Sequence, residues 1–181
     1  MELVSEIEKR LLEKEKRLDS LIVKEREAVR FCSKAIKETH LGNFEEAEEL
    51  LGGAKQLLDG MGRESSGLER RMSHPNAEYA EGRLYLGIAR DGKILAQGEI
   101  GVGDESYLDG LLDCMGELKR RVVEHLRKGE KEEAERIFGF MEMIFAEVGP
   151  LHFSGALMPE LRRKQDVGRA QLEDARGKLI K

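Results

Sequence analysis

With 181 residues, 40% of them hydrophobic and 37% charged with both signs interspersed, the chain is long enough for one ordinary domain with a real core, expected to span 1–181. That composition excludes a disordered chain, and no apolar run approaches the roughly 20 residues that span a bilayer. The net charge of −5 is the opposite of the basic excess of a general nucleic-acid binder, so any phosphate site has to be local.

The opening residues, Met1 to Glu6, lack the basic-then-apolar pattern of a secretion signal, so a cytoplasmic location without a membrane partner is expected. From about Glu2 to His40 there is neither Gly nor Pro. Leu18, Leu21, Ile22, Val29, Cys32 and Ile36 fall on one face, which predicts one long helix. Gly42 suits its C-terminal cap. Asn43 and Glu46 read as an N-cap and capping-box glutamate opening a second helix through Leu58. The glycines that follow make 60–73 a short helix or loop. Pro75 fits the first turn of another helix, reaching about Arg90 before the Asp91-Gly92 turn. A β-hairpin over 84–100, centred on Asp91-Gly92, is the rival reading of that stretch.

From Asp104 to Gly129, Leu108, Leu111, Leu112, Met115, Leu118, Val122 and Leu126 form the clearest amphipathic helix. The next carries Ile137, Phe140, Met141, Ile144 and Phe145 as core residues and stops at Gly149-Pro150. Pro159 opens a last helix with Leu161, Val167, Leu172 and Leu179. The fold class is therefore all-α.

Two acidic pairs carry the chemistry. Glu78/Glu81 and Asp113/Glu117 sit three and four residues apart, on one helical face each, where two carboxylates can share a cation. Glu81 falls among Leu84, Tyr85 and Ile88, which implies a buried carboxylate needing a cation, a metal or a proton; an arginine partner would serve equally. Asp113 and Glu117 lie away from the leucine stripe and read, alone, as a solvated face. Four such carboxylates suit Mg²⁺ or Mn²⁺, with a water activated for attack on a phosphodiester.

Arg26, Arg30, Lys34 and Lys37 line one flank of the first helix, as a dock for phosphates or as a solvated flank interleaved with Glu25, Glu27 and Glu38. Arg162, Arg163 and Lys164 form a second basic cluster, able to pair with an acid. Cys32 and Cys114 read as buried thiols, and none of the four histidines sits in a nucleophile motif.

Several stretches together resemble the translin superfamily. They are Lys24-Glu-Arg26 through Ser33 to His40, Asn43-Phe-Glu-Glu-Ala-Glu48, Glu78-Tyr-Ala-Glu81, Tyr107-Leu-Asp-Gly-Leu-Leu-Asp113-Cys-Met-Gly-Glu117-Leu-Lys-Arg120, and Leu161-Arg-Arg-Lys-Gln-Asp-Val-Gly-Arg-Ala-Gln-Leu-Glu173. The resemblance implies a seven-helix bundle that assembles into a hollow hexamer or octamer enclosing RNA or single-stranded DNA. Subunits like translin-associated factor X carry acids for Mg²⁺-dependent endoribonuclease cleavage. By position, Glu78, Glu81 and Asp113 correspond to that set, with Glu117 an additional ligand candidate, and the basic residues of the first helix fit RNA contact. The compact chain suggests an archaeal homologue forming a homo-oligomer. The alternative is a non-catalytic, nucleic-acid-binding oligomer whose acids form salt bridges.

Overall fold

The computed structural model describes Val4–Ile180. It is built from α1 (Ser5–Leu41), α2 (Phe44–Glu64), α3 (Ser73–Leu86), a four-residue α4 (Gln97–Ile100), α5 (Asp104–Lys128), α6 (Lys131–Val148) and α7 (Leu161–Leu179). Among the described residues there is no strand, and no helix is long and apolar enough to cross a membrane. Helix α1 packs on α2 and α3, and α5 packs on α3, α6 and α7, so α3 and α5 form the centre.

Helix α1, 37 residues and roughly 55 Å long, ends at Gly42, whose φ of 83° caps Glu38 and Thr39 as expected. Glu2, part of the expected start, lies outside the described residues. The buried seam is Leu21, Ala28, Cys32, Ala35 and Thr39, whereas Ile22, Val29 and Ile36 are only half-buried. The small alanines admit α2 more closely than a larger residue would. Asn43 sits at the N-cap position of α2, but its amide donates to Glu38 Oε2 at 2.8 Å, and no side-chain cap forms.

Helix α2 runs six residues past Leu58, through Gly60 and Gly62. Each glycine costs about 1 kcal/mol of helix propensity, and burial of Ala47, Leu51, Ala54, Leu58 and Met61 on one stripe overrides it. Glu69–Met72 form a 3₁₀ turn.

The hairpin reading of 84–100 is not realised. Leu84, Tyr85, Leu86 and Ile88 are all buried, and α3 passes into a π-helical turn, Gly87–Asp91. Gly92 ends it at φ 63°, its N–H donating to Ile88 O. In α6, Met141 and Phe138 are buried, whereas Phe140 and Phe145 are half-buried beneath Arg136 and Arg169. Val167 of α7 is 43% exposed. The inner position belongs to Gly168, against Leu112 and Phe145.

The α3–α5 contact closes over Gly110. A Cβ there would meet Ala80 Cβ at 2.6 Å, Glu81 N at 2.9 Å and Ala77 O at 3.1 Å. Two of those three atoms are backbone and cannot rotate away, so Gly110→Ala has to separate the helices. Urea unfolding of this variant is expected to show a loss of roughly 2 kcal/mol, despite alanine's better helix propensity.

Candidate functional site

The close approach at Gly110 sets the turn of α3 bearing Glu78 and Glu81 against the turns of α5 bearing Asp109, Asp113 and Glu117. Glu81 lines a cleft of about 290 Å³ with Leu112, Asp113, Arg163, Lys164, Val167 and Gln171, which brings α7 into the site. Glu81 is half-buried and has no ion-pair partner among the described residues. Burial raises its pKa, and the charges of Glu78, Asp113 and Glu117 raise it further, to about 8, against the opposing pull of Lys164. Glu78 is also raised, by burial first and then by Asp113, while His74 opposes.

Asp113 and Glu117 are not on a solvated face. Lys164 Nζ of α7 donates to Asp113 Oδ2 at 2.6 Å and lies 3.4 Å from Asp109 Oδ1. His40, whose side chain is 4% exposed, donates through Nε2 to Glu117 Oε2 at 2.5 Å. That bond, against burial, lowers the Glu117 pKa. The Tyr85 hydroxyl lies 2.8 Å from His40 Nδ1, Glu124 approaches the same nitrogen at 3.4 Å, and Arg121 donates to the Tyr85 oxygen at 3.4 Å. Burial raises the pKa of Asp109, although Lys164 lies beside it.

The four acids therefore share one electrostatic neighbourhood but are divided in their partners. Lys164 holds Asp113, His40 holds Glu117, His74 lies 3.9 Å from Glu78, and Glu81 is left without a cation. Among the described residues, no group of three or more His, Cys, Asp or Glu side chains is gathered so as to hold a metal ion. The donor set itself suits a hard divalent cation: it is all oxygen, mutually repelling, and includes a half-buried carboxylate that no protein cation neutralises. Cys32, beside Glu78 and Glu81, is pushed up to about 12 by burial and by those two charges, and Cys114 is raised in the same way; neither is a thiolate nucleophile.

Arg26, Arg30, Lys34 and Lys37 are all exposed and make no ion pair among the described residues. They lie opposite Ala28, Cys32 and Ala35, so they point further from the core than a stripe centred on Val29 would place them. Two of the interleaved acids are engaged elsewhere: Glu25 pairs with Arg71 and Glu38 accepts from Asn43. Arg163 pairs with Glu160.

Residues 16–175 match the model of the Translin family. The chain belongs to the translin family. Among solved structures, this translin-family chain is similar to the crystal structure of AfC3PO, at 29% identity and a TM-score of 0.90, covering 98% of this chain and 95% of that one. It is also similar to the structure of AfC3PO in complex with duplex RNA, at 28% identity, a TM-score of 0.88 and coverage of 98% and 94%. Apo-NeC3PO, at 18% identity, a TM-score of 0.88 and coverage of 99% and 97%, shares the fold. The uncharacterized protein MJ0175 of Methanocaldococcus jannaschii is 34% identical over 110 residues, 60% of this chain and 49% of that protein, so the match spans about half the length of that relative.

Two residues of this acidic cluster have no clear mark in the sequence. Asp109 reads there as one more polar residue of α5. His40 carries no local signal, because its partner Glu117 is 77 residues away.

Proposed function

We propose that this chain is a subunit of a hollow homo-oligomer that binds RNA and hydrolyses its phosphodiester bonds with a divalent cation, Mg²⁺ or Mn²⁺. The observation that carries the reading is Glu81: a half-buried carboxylate without a cationic partner, beside Glu78, Asp113 and Glu117, its pKa raised to about 8. Such a group persists at neutral pH by holding a proton or by sharing a cation with its neighbours. Glu78, Glu81 and Asp113 would hold the cation. When bound, it supplies Lewis-acid activation of water and neutralises charge developing on the phosphodiester.

The chain's own residues divide the remaining work. Glu117, ionised and tied to buried His40, is held at the edge of the set as an additional ligand or as an orienting acceptor for water. Arg26, Arg30, Lys34 and Lys37, exposed and unpaired among the described residues, would bind the RNA backbone without reading sequence. The similarity to AfC3PO, which has a structure in complex with duplex RNA, supports RNA as the ligand. With single-stranded DNA as a second ligand, the same basic face would serve.

A non-catalytic RNA-binding oligomer is the second reading, favoured by the Lys164 ammonium on Asp113, which already neutralises one of the proposed ligands. Incubating labelled RNA with Mg²⁺ or with EDTA, and sizing the particle alongside, separates the two. Asp113→Asn is expected to lower cleavage by about 10³-fold while leaving RNA affinity within about twofold, because Asp113 is not part of the basic face. Equal cleavage by this variant and its parent would refute the assignment.

A further inference from the structure

We propose that Lys164 is an exchangeable cation of the acidic site: it neutralises Asp113 and Asp109 while no divalent cation is present, yields Asp113 when one binds, and then holds a substrate phosphate oxygen in the adjoining cleft. The inference rests on the reading of the site as a divalent-cation nuclease.

Lys164 Nζ lies 2.6 Å from Asp113 Oδ2 and 3.4 Å from Asp109 Oδ1, with its side chain 15% exposed. A structural ion pair placed only to relieve buried charge would sit on Glu81, the acid most in need of one. Lys164 instead engages Asp113, the more exposed ligand at 36%, and leaves Glu81 unpaired. Lys164, Asp113 and Glu81 line one cleft, so a cation drawn to both acids would compete with the ammonium for Asp113.

The surroundings let the ammonium move while the helix stays. Buried Gln165, the next residue, donates to Val148 O at 2.8 Å and to Leu151 O at 2.9 Å, which pins the start of α7. The ammonium rides on a flexible four-carbon stem. Once released from Asp113, it remains in a cleft whose wall includes Arg163 and Gln171, where the Oε1 atom of Gln171 is buried without a hydrogen-bond partner. A phosphate oxygen entering that cleft meets the donors Lys164 and Arg163 on α7 and the acids on α3 and α5, whereas Gln171 Oε1, an acceptor, can only take a hydrogen bond from the ammonium.

Two cations competing for one carboxylate are negatively coupled, and the coupling is reciprocal: removing the ammonium has to tighten the divalent cation. Lys164→Met is therefore expected to bind Mn²⁺ about tenfold more tightly than the parent, measured by electron paramagnetic resonance of free Mn²⁺. Its RNA cleavage is expected to fall by about 10²-fold in kcat despite the tighter cation, since the phosphate has lost the ammonium that holds it.

On the parent protein, acetylation of Lys164 followed by mass spectrometry is expected to speed up by about tenfold when Mn²⁺ replaces EDTA. Unchanged labelling, or Mn²⁺ affinity in Lys164→Met equal to or below that of the parent, would make Lys164 a fixed structural ion pair and overturn the proposal. If neither protein binds Mn²⁺, the nuclease reading fails and this inference with it. Should Lys164→Met not fold, the labelling of the parent decides alone.

Discussion

Glu81→Gln is expected to be more stable than the parent at pH 8 in EDTA, by roughly 3 kcal/mol, and equally stable near pH 4.5. The sign follows from the direction of the shift. The Glu81 carboxyl titrates near 4.5 when unfolded and at about 8 in the fold. Between those values the native state binds more protons than the unfolded chain, so the parent loses stability as pH rises from 4.5 to 8 and changes little beyond. Full linkage over that interval would be worth about 5 kcal/mol, and the partial solvent access of a half-buried group reduces it to the smaller figure. Glutamine keeps the shape and cannot ionise, so its profile should lack the slope. The same substitution should abolish cleavage, which makes the result a gain of stability bound to a loss of function. Urea unfolding of both proteins across that pH range checks it, and a parent profile parallel to that of the variant would refute the burial argument. Adding Mg²⁺ to the parent at pH 8 should narrow the gap by mass action.

The second large effect concerns RNA affinity. Replacing Arg26, Arg30, Lys34 and Lys37 together by glutamine should reduce the slope of log affinity against log salt by about 3, at roughly 0.7 to 0.9 for each phosphate no longer neutralised. At low salt the affinity should fall by about 10³-fold. The four side chains are exposed and make no ion pair among the described residues. Glutamine is a good helix former, so the melting temperature should hardly change. Anisotropy titrations of labelled RNA in EDTA over a range of KCl concentrations supply the slope without interference from cleavage. A variant with the parent's slope would move the RNA site elsewhere.

Much of the architecture is legible in the sequence because its signals are local. The Gly42 and Gly129 caps, the apolar stripe of α5 and the stop at Gly149-Pro150 each act within a turn or two of the residues that encode them. The errors arise where distance along the chain matters. Gly60 and Gly62 look like the end of a helix until the burial of Leu58 and Met61 is known. Counting only large apolar residues places the α1 stripe on Val29, when Ala28 and Ala35 form the seam.

The same limit applies to the site. The phase of Glu81 among Leu84, Tyr85 and Ile88 is enough to single it out, since a carboxylate in phase with buried residues of its own helix has to face inward, here toward Leu112 of α5 and Val167 of α7. Asp113 and Glu117 look solvated in the sequence because their covers, Lys164 and His40, come from segments 51 and 77 residues away. No helical period reports a partner at that separation.

Helix α3 is held by glycine on two sides. Gly110 of α5 admits Ala80 and the Glu81 backbone, and Gly82 of α3 itself faces Leu51, whose Cδ2 would stand 2.9 Å from an added Cβ. With main chain seated against main chain at Gly110 and the buried Leu51 side chain filling the space at Gly82, this helix has little slack along its axis, and Glu78 and Glu81 are fixed in height relative to α5. Any cation shared by these acids would then be met on one side by a stationary jaw, with adjustment left to the side chains of α5.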